Sequence, residues 1–174
     1  MAVRPITVIP QDAAVLRAKA KRVPGVDRPL LALVEDMIDS MYAANGVGLA
    51  APQIGVSLRL VVIGMPGERP FALVNPEIVK RSGDRQLIEG CLSVPGYRGE
   101  VTRSNRVVVK ASDLHGRELR IRAEDDLLAQ ALEHEINHVN GILYIDQVED
   151  PDSFQRLTEI APDEDEAGLA AHRE

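Results

Sequence analysis

Apolar residues recur at spacings of three and four through Leu30, Leu33, Val34, Met37, Ile38 and Met41, the period of one helix face. The stretch RPLLALVEDMIDSMYAAN therefore predicts an amphipathic helix, opened by Asp27 and closed before Gly46. Beyond it the pattern changes to short β-rich runs. LRLVVI at 58–63, FALVNPEIV at 71–79, RVVVKA at 106–111 and RELRIR at 117–122 read as strands. The last two flank SDLHG, whose Asp and Gly suit a tight turn, so they predict a hairpin. A second helix follows over AEDDLLAQALEHEINHVN, with acids in its first turn and Gly141 beyond its end, as the helix dipole and C-terminal capping favour. Helix, several strands, then helix is the order of an α+β domain rather than of alternating βαβ units. The expected fold is α+β, with antiparallel sheets surrounding a central histidine-bearing helix and an amphipathic helix toward the N-terminus.

Composition narrows what such a domain does. The chain has 174 residues, enough for one domain with a real core. With no Trp and two Phe it has little from which to build a base-stacking platform, so DNA is not an expected partner. Of its 27 acidic and 20 basic residues, nine and two fall in 147–174, which leaves 18 of each in 1–146. The net charge of -7 thus belongs to the C-terminal end, expected to be a solvated, partly disordered acidic tail over 151–174. No secretory leader or run of about 18 apolar residues is apparent. With the lone Cys91 excluding an internal disulfide, a cytoplasmic protein without a membrane partner is expected.

The histidines carry the chemistry. In LEHEINHVNG, His134 and His138 stand at i and i+4 on one helix face with Glu135 between them, the pattern of two metal ligands and a base. A catalytic metal site asks for a third protein ligand and an open position. Tyr144 stands where one class of metalloprotease would have a further histidine, and Glu159 lies in the acidic end. Cys91 is the better choice, because a thiolate with two imidazoles suits zinc or ferrous iron. It occurs in EGCLSVPGY, whose Gly90, Pro95 and Gly96 predict an irregular backbone.

Three stretches, GVGLAAPQ at 46–53, EGCLS at 89–93 and HEINH at 134–138, together resemble peptide deformylase in its compact bacterial form. VLRAKAKRV and YRGEVTR extend the likeness over roughly residues 6–150. The resemblance implies a single catalytic domain over 1–150 that hydrolyses the N-formyl group of formyl-methionine on nascent polypeptides and releases formate. Cys91, His134 and His138 would hold one divalent ion, ferrous iron above all, with zinc or nickel possible. Water on that ion would attack the formyl carbon, with Glu135 as general base and then general acid. Gln53 and the backbone N–H of Leu92 would receive the oxyanion. Val47, Gly48 and Gly90 would pair with the substrate backbone as with an added strand. Leu127 and Ala131 are candidates for the methionine pocket, and equally for plain core.

The family usually has Gln before the first histidine and Asp before the second, where this chain has Glu133 and Asn137. The expectation is that the acidic partner of a supporting network, involving Arg103, has moved by one helical turn. Some deformylases end in a basic helix that approaches ribosomal RNA. An end this acidic is repelled by phosphate, so only transient ribosome contact, not through the tail, is expected. Two other readings are a relative that sequesters ligands or inhibitors without turnover and a zinc endopeptidase using Glu159. Formate release separates the first from a deformylase, and metal retention in a Cys91→Ser variant separates the second.

Overall fold

The computed structural model describes residues 2–157. Its main sheet runs in the order β1 (Gly48–Ala50), β2 (Leu60–Ile63), β3 (Phe71–Ser82), β6 (Arg106–Ser112), β7 (Glu118–Glu124), with every neighbouring pair antiparallel. A second sheet holds β4 (Arg85–Cys91), β5 (Val94–Arg103) and β8 (Gln155–Arg156). Helix α1 (Ala13–Arg17) is a short turn; α2 (Arg28–Ala43) and α3 (Leu127–Val139) are the two expected helices.

The run LVVI lacks polar residues because β2 lies between the two long helices. Leu60 and Val62 join a core with Leu30, Leu33, Val34, Met37 and Met41 of α2. Val61 and Ile63 join the opposite core with Ala129, Leu132, Ile136 and Val139 of α3. Alternation on one strand thus feeds two cores. Farther out, β6 keeps Val107, Val109 and Ala111 buried toward α3 while Arg106 is exposed on the other face. The predicted hairpin is present: Ala111 pairs with Leu119 and Ser112 with Glu118, and Gly116 takes φ 77° in the turn.

Three expectations are corrected. The acids before α3 are not in its first turn; Asp126 caps it, accepting from the Ala129 amide at 2.8 Å, and Asp125 stands outside at φ 51°. Helix α2 ends before Gly46 as expected, with Asn45 at φ 56° in the left-handed position. The stretch around Cys91 is not a loop but the β4–β5 hairpin, irregular only where its register shifts between Glu89 and Cys91 and where Gly96 takes φ 83°. Gly90 marks a bulge there, not a break. The boundary placed at 150 falls inside the fold, since Tyr97 pairs with Arg156 and Arg98 with Gln155. The rest of the acidic tail, with Glu159, lies outside the described residues. No helix among the described residues is long and apolar enough to cross a membrane.

Candidate metal centre

Helix α3 stops at a reciprocal pair of turn bonds, Gly141 N–H to His138 O at 3.1 Å and Ile142 N–H to Asn137 O at 2.9 Å, with Gly141 at φ 75°. A Cβ on Gly141 would come 2.4 Å from the Arg17 carbonyl. The helix end that carries His138 is therefore seated directly on the N-terminal arm.

The β4–β5 hairpin covers the histidine face. Cys91 closes β4 opposite Val94, with Leu92 and Ser93 in the tight turn between them. Its Sγ lies 3.2 Å from His138 Nε2, and one ligand atom from each of Cys91, His134 and His138 falls within 4.8 Å of the others. His134 donates Nδ1–H to Glu89 Oε1 at 2.7 Å, which leaves Nε2 for another role. Arg103, with no exposed side-chain surface, meets the same carboxylate twice, Nε to Oε2 at 2.6 Å and Nη2 to Oε1 at 2.7 Å. Its Nη1 donates to Gln147 Oε1 at 3.0 Å, and Asn137 Nδ2 donates to the same oxygen at 3.1 Å.

Burial and charge act in opposite directions on these groups. Burial alone would raise Glu89, but the hydrogen bonds of Arg103 and His134 outweigh it and hold the carboxyl at about 2. Burial likewise disfavours charge on His134, yet the Cys91 sulfur and the Glu89 carboxylate bring it up to about 10. His138, which burial and the neighbouring His134 push well below the usual value, is a neutral imidazole. Burial raises Glu135 to about 7.

The residues fit a metal ion. One thiol and two imidazoles are a donor set for a borderline divalent cation, and His138 is already in the neutral form that ligates. Glu135 Oε2 is buried with no protein partner, on the same cleft as His134 and Cys91. A cation would take the place of the proton on His134.

The cleft itself encloses about 480 Å³. Gln53, Leu92, Val47, Gly48, Gly90, Leu127, Ala131, His134, Glu135 and Cys91 all line it, whereas His138 lies behind. Gln53 is buried: its Oε1 accepts from Ala50 N–H at 3.0 Å, so its amide nitrogen faces Ser93 Oγ at 3.2 Å and Cys91 Sγ at 3.7 Å. Gly48 is required by Glu135, because a Cβ there would stand 2.8 Å from Glu135 Cγ. Ala131 is buried in the core as well as bordering the cleft, while Leu127 is exposed at its rim.

A family model described as polypeptide deformylase matches residues 3–154. The chain belongs to the polypeptide deformylase family. A peptide deformylase of Dehalococcoides mccartyi (strain CBDB1) is 51% identical over 166 residues, 95% of this chain and 96% of its own length. One from Thermomicrobium roseum is 45% identical over 95% of each. Among solved structures, a peptide deformylase from Legionella pneumophila superposes with TM-score 0.81 at 43% identity, covering 99% of this chain and 100% of that one. A deformylase from Synechococcus elongatus in complex with actinonin gives 0.81 at 38% identity over 86% and 81%. This deformylase is thus a metal-dependent hydrolase that removes the N-formyl group from nascent polypeptides.

The expected exchange between Glu133 and Asn137 is corrected. Glu133 accepts from the Ser104 backbone N–H at 2.7 Å rather than from Arg103. The carboxylate facing Arg103 is Glu89, and Asn137 reaches the guanidinium only through Gln147. Glu89 stands two residues before Cys91, but the register shift between them means that strand alternation alone does not place it on the same face. Gln147 had no signal in the sequence either.

Proposed function

We propose that Cys91, His134 and His138 hold one ion, ferrous iron in the native protein with zinc or nickel able to replace it, and that Glu135 moves the proton. The observation that carries this reading is the approach of one sulfur and two imidazoles to within 4.8 Å, beside a buried carboxylate at about 7. When bound, such an ion supplies Lewis acidity and lowers the pKa of water toward neutrality. Glu135 then takes a proton from water and returns it to the departing amine, a role that suits a group titrating near working pH. Gln53 and the Leu92 N–H receive the developing oxyanion. The anchored carbonyl end of Gln53 supports this, because its amide nitrogen is held in place before substrate arrives.

Strands β1 and β4 are each terminal in their sheets, and both border the cleft. An extended peptide entering between them finds open backbone groups on two sides. We assign Val47, Gly48 and Gly90 to that pairing, and Leu127 with Ala131 to the methionine side chain. All of these residues fall within 1–150, the segment read as the catalytic domain. Nascent chains are met where they are made, which puts the enzyme in the cytoplasm. Contact with the ribosome is transient and does not use the acidic end, whose charge opposes phosphate.

The test is formate release from a formyl-Met-Ala-Ser peptide by protein purified anaerobically with iron. Turnover is expected, with Glu135→Gln lowering kcat roughly 10²–10⁴-fold and Cys91→Ser losing the metal by elemental analysis. No release from iron-loaded protein, or full metal retention in Cys91→Ser, refutes the assignment.

A further inference from the structure

Nine large apolar side chains are exposed among the described residues, and three of them, Ile88, Leu127 and Leu157, line the one catalytic cleft. They are 62%, 42% and 49% exposed, and none belongs to a core cluster. Ile88 comes from β4 and Leu127 from the start of α3. Leu157 comes from the residues that follow β8, far from both in sequence.

The segment that brings Leu157 there is fastened to Tyr97. The ring of Phe154 stacks on Tyr97 at 5.0 Å and 4°. Arg156 donates from Nε to the Tyr97 hydroxyl at 3.0 Å, with its guanidinium 5.7 Å from the ring centre. Upstream, Ser153 Oγ accepts from the Glu100 amide at 3.1 Å. Gly99 leaves room for this packing, since a Cβ there would meet Val148 Cγ2 at 3.0 Å and Phe154 Cδ2 at 3.3 Å. These contacts hold the segment in place, yet they leave Leu157 half in solvent. An apolar side chain kept exposed at a binding cleft is covered when the ligand arrives.

We propose that Leu157, with Ile88, forms an apolar subsite that reads a side chain of the substrate beyond the formyl-methionine, so that this enzyme favours nascent chains with an aliphatic or aromatic residue at the second or third position. The inference rests on the deformylase reading of the cleft. It gives the C-terminal strand a part in substrate choice that Cys91, the histidines and Glu135 do not supply. The alternation of an extended peptide means that only one of the two positions faces the subsite.

The experiment measures kcat/KM for formyl-Met peptides carrying Leu, Phe, Ser or Asp at the second position, and then at the third, with the iron-loaded full chain and its Leu157→Ser variant. The expected preference for Leu and Phe over Ser and Asp is roughly 10-fold at one position, the size an apolar pocket gives. It arises in KM, and Leu157→Ser brings the ratio close to 1. Leu157 is half exposed, so the substitution leaves the core untouched. Ile88→Ser is the second variant and acts at the same position. A flat profile in the unmodified chain, a ratio unmoved by Leu157→Ser, or an equal loss on every peptide overturns the subsite. No formate from any peptide would instead sink the reading on which it rests.

Discussion

Removing the Arg103 guanidinium while keeping its apolar stem, as Arg103→Met does, isolates one buried charge. Glu89 is 3% exposed and Arg103 not at all. After the change, the Glu89 carboxylate keeps the 2.7 Å contact to His134 Nδ1 and loses two charged donors. Leaving one member of a buried pair uncompensated costs about 3–5 kcal/mol. The acidity of Glu89 leads to a similar size independently: a shift from 4.5 to about 2 corresponds to about 3 kcal/mol, part of which His134 supplies. Because the folded value is the lower one, this stabilisation is present above pH 4.5 and is lost as pH falls toward 2.

The expected loss of about 3–5 kcal/mol lowers the melting temperature by roughly 6–20 °C in a chain of this size. Metal affinity falls by roughly 10- to 100-fold, since Glu89 orients a ligand. The assay is urea unfolding of Arg103→Met, Glu89→Gln and the double variant, with metal competition on each. Each single change strands a buried partner, so the double variant should be less destabilised than the sum of the singles by more than 1 kcal/mol or so. Strict additivity, or a loss under about 1 kcal/mol in Arg103→Met, would refute the argument that this pair is a coupled, buried support of His134.

Gly48→Ala should leave the fold largely intact but displace Glu135, whose Cγ would lie 2.8 Å from the new methyl; a fall in kcat of roughly 10²-fold is expected from such misplacement, and unchanged kcat would show that Glu135 has room to yield. Asn137→Asp sets a carboxylate against Gln147 Oε1, now 3.1 Å from the Asn137 amide nitrogen, so it should weaken metal binding in a competition titration. Because Glu133 bonds to Ser104 N–H instead, adding Glu133→Gln should not restore that affinity. Recovery in the double variant would reinstate a direct exchange between positions 133 and 137.

What was legible in the sequence was whatever repeats along one element or stands at its ends. The period of 3.6 marked α2, the residues at its two ends marked α3, and the i, i+4 spacing put His134 and His138 on one face. The turn residues of SDLHG between two β-rich runs marked the hairpin of β6 and β7. What was not legible was glycine and proline inside strands: Gly90 resembles a breaker and instead sits at the register shift of β4, and Pro95 and Gly96, the latter at φ 83°, lie within β5 just past the turn. Contacts that join segments far apart were also hidden. Gln147 reaches Arg103 only because the chain reverses at Gly141, and Leu157 reaches the cleft only because β8 adds to β5.

The exchange of an acid for an amide at position 137 has a physical rationale in that hidden network. A carboxylate before the second histidine would place another negative charge near Glu89 and the Cys91 sulfur. Here the Arg103 guanidinium meets one carboxylate, Glu89, and one amide oxygen, that of Gln147. The same amide oxygen takes the Asn137 donor, so the helix turn carrying His138 is tied to Arg103 by neutral groups. Neutral hydrogen bonds do not change with protonation, whereas the Glu89 link to His134 does. The His134 imidazole is thus held directly by a carboxylate, whereas at His138 only the adjoining helix turn is tied, through Asn137 and Gln147, and acid should loosen His134 first, as NMR of the two imidazoles through an acid titration would show.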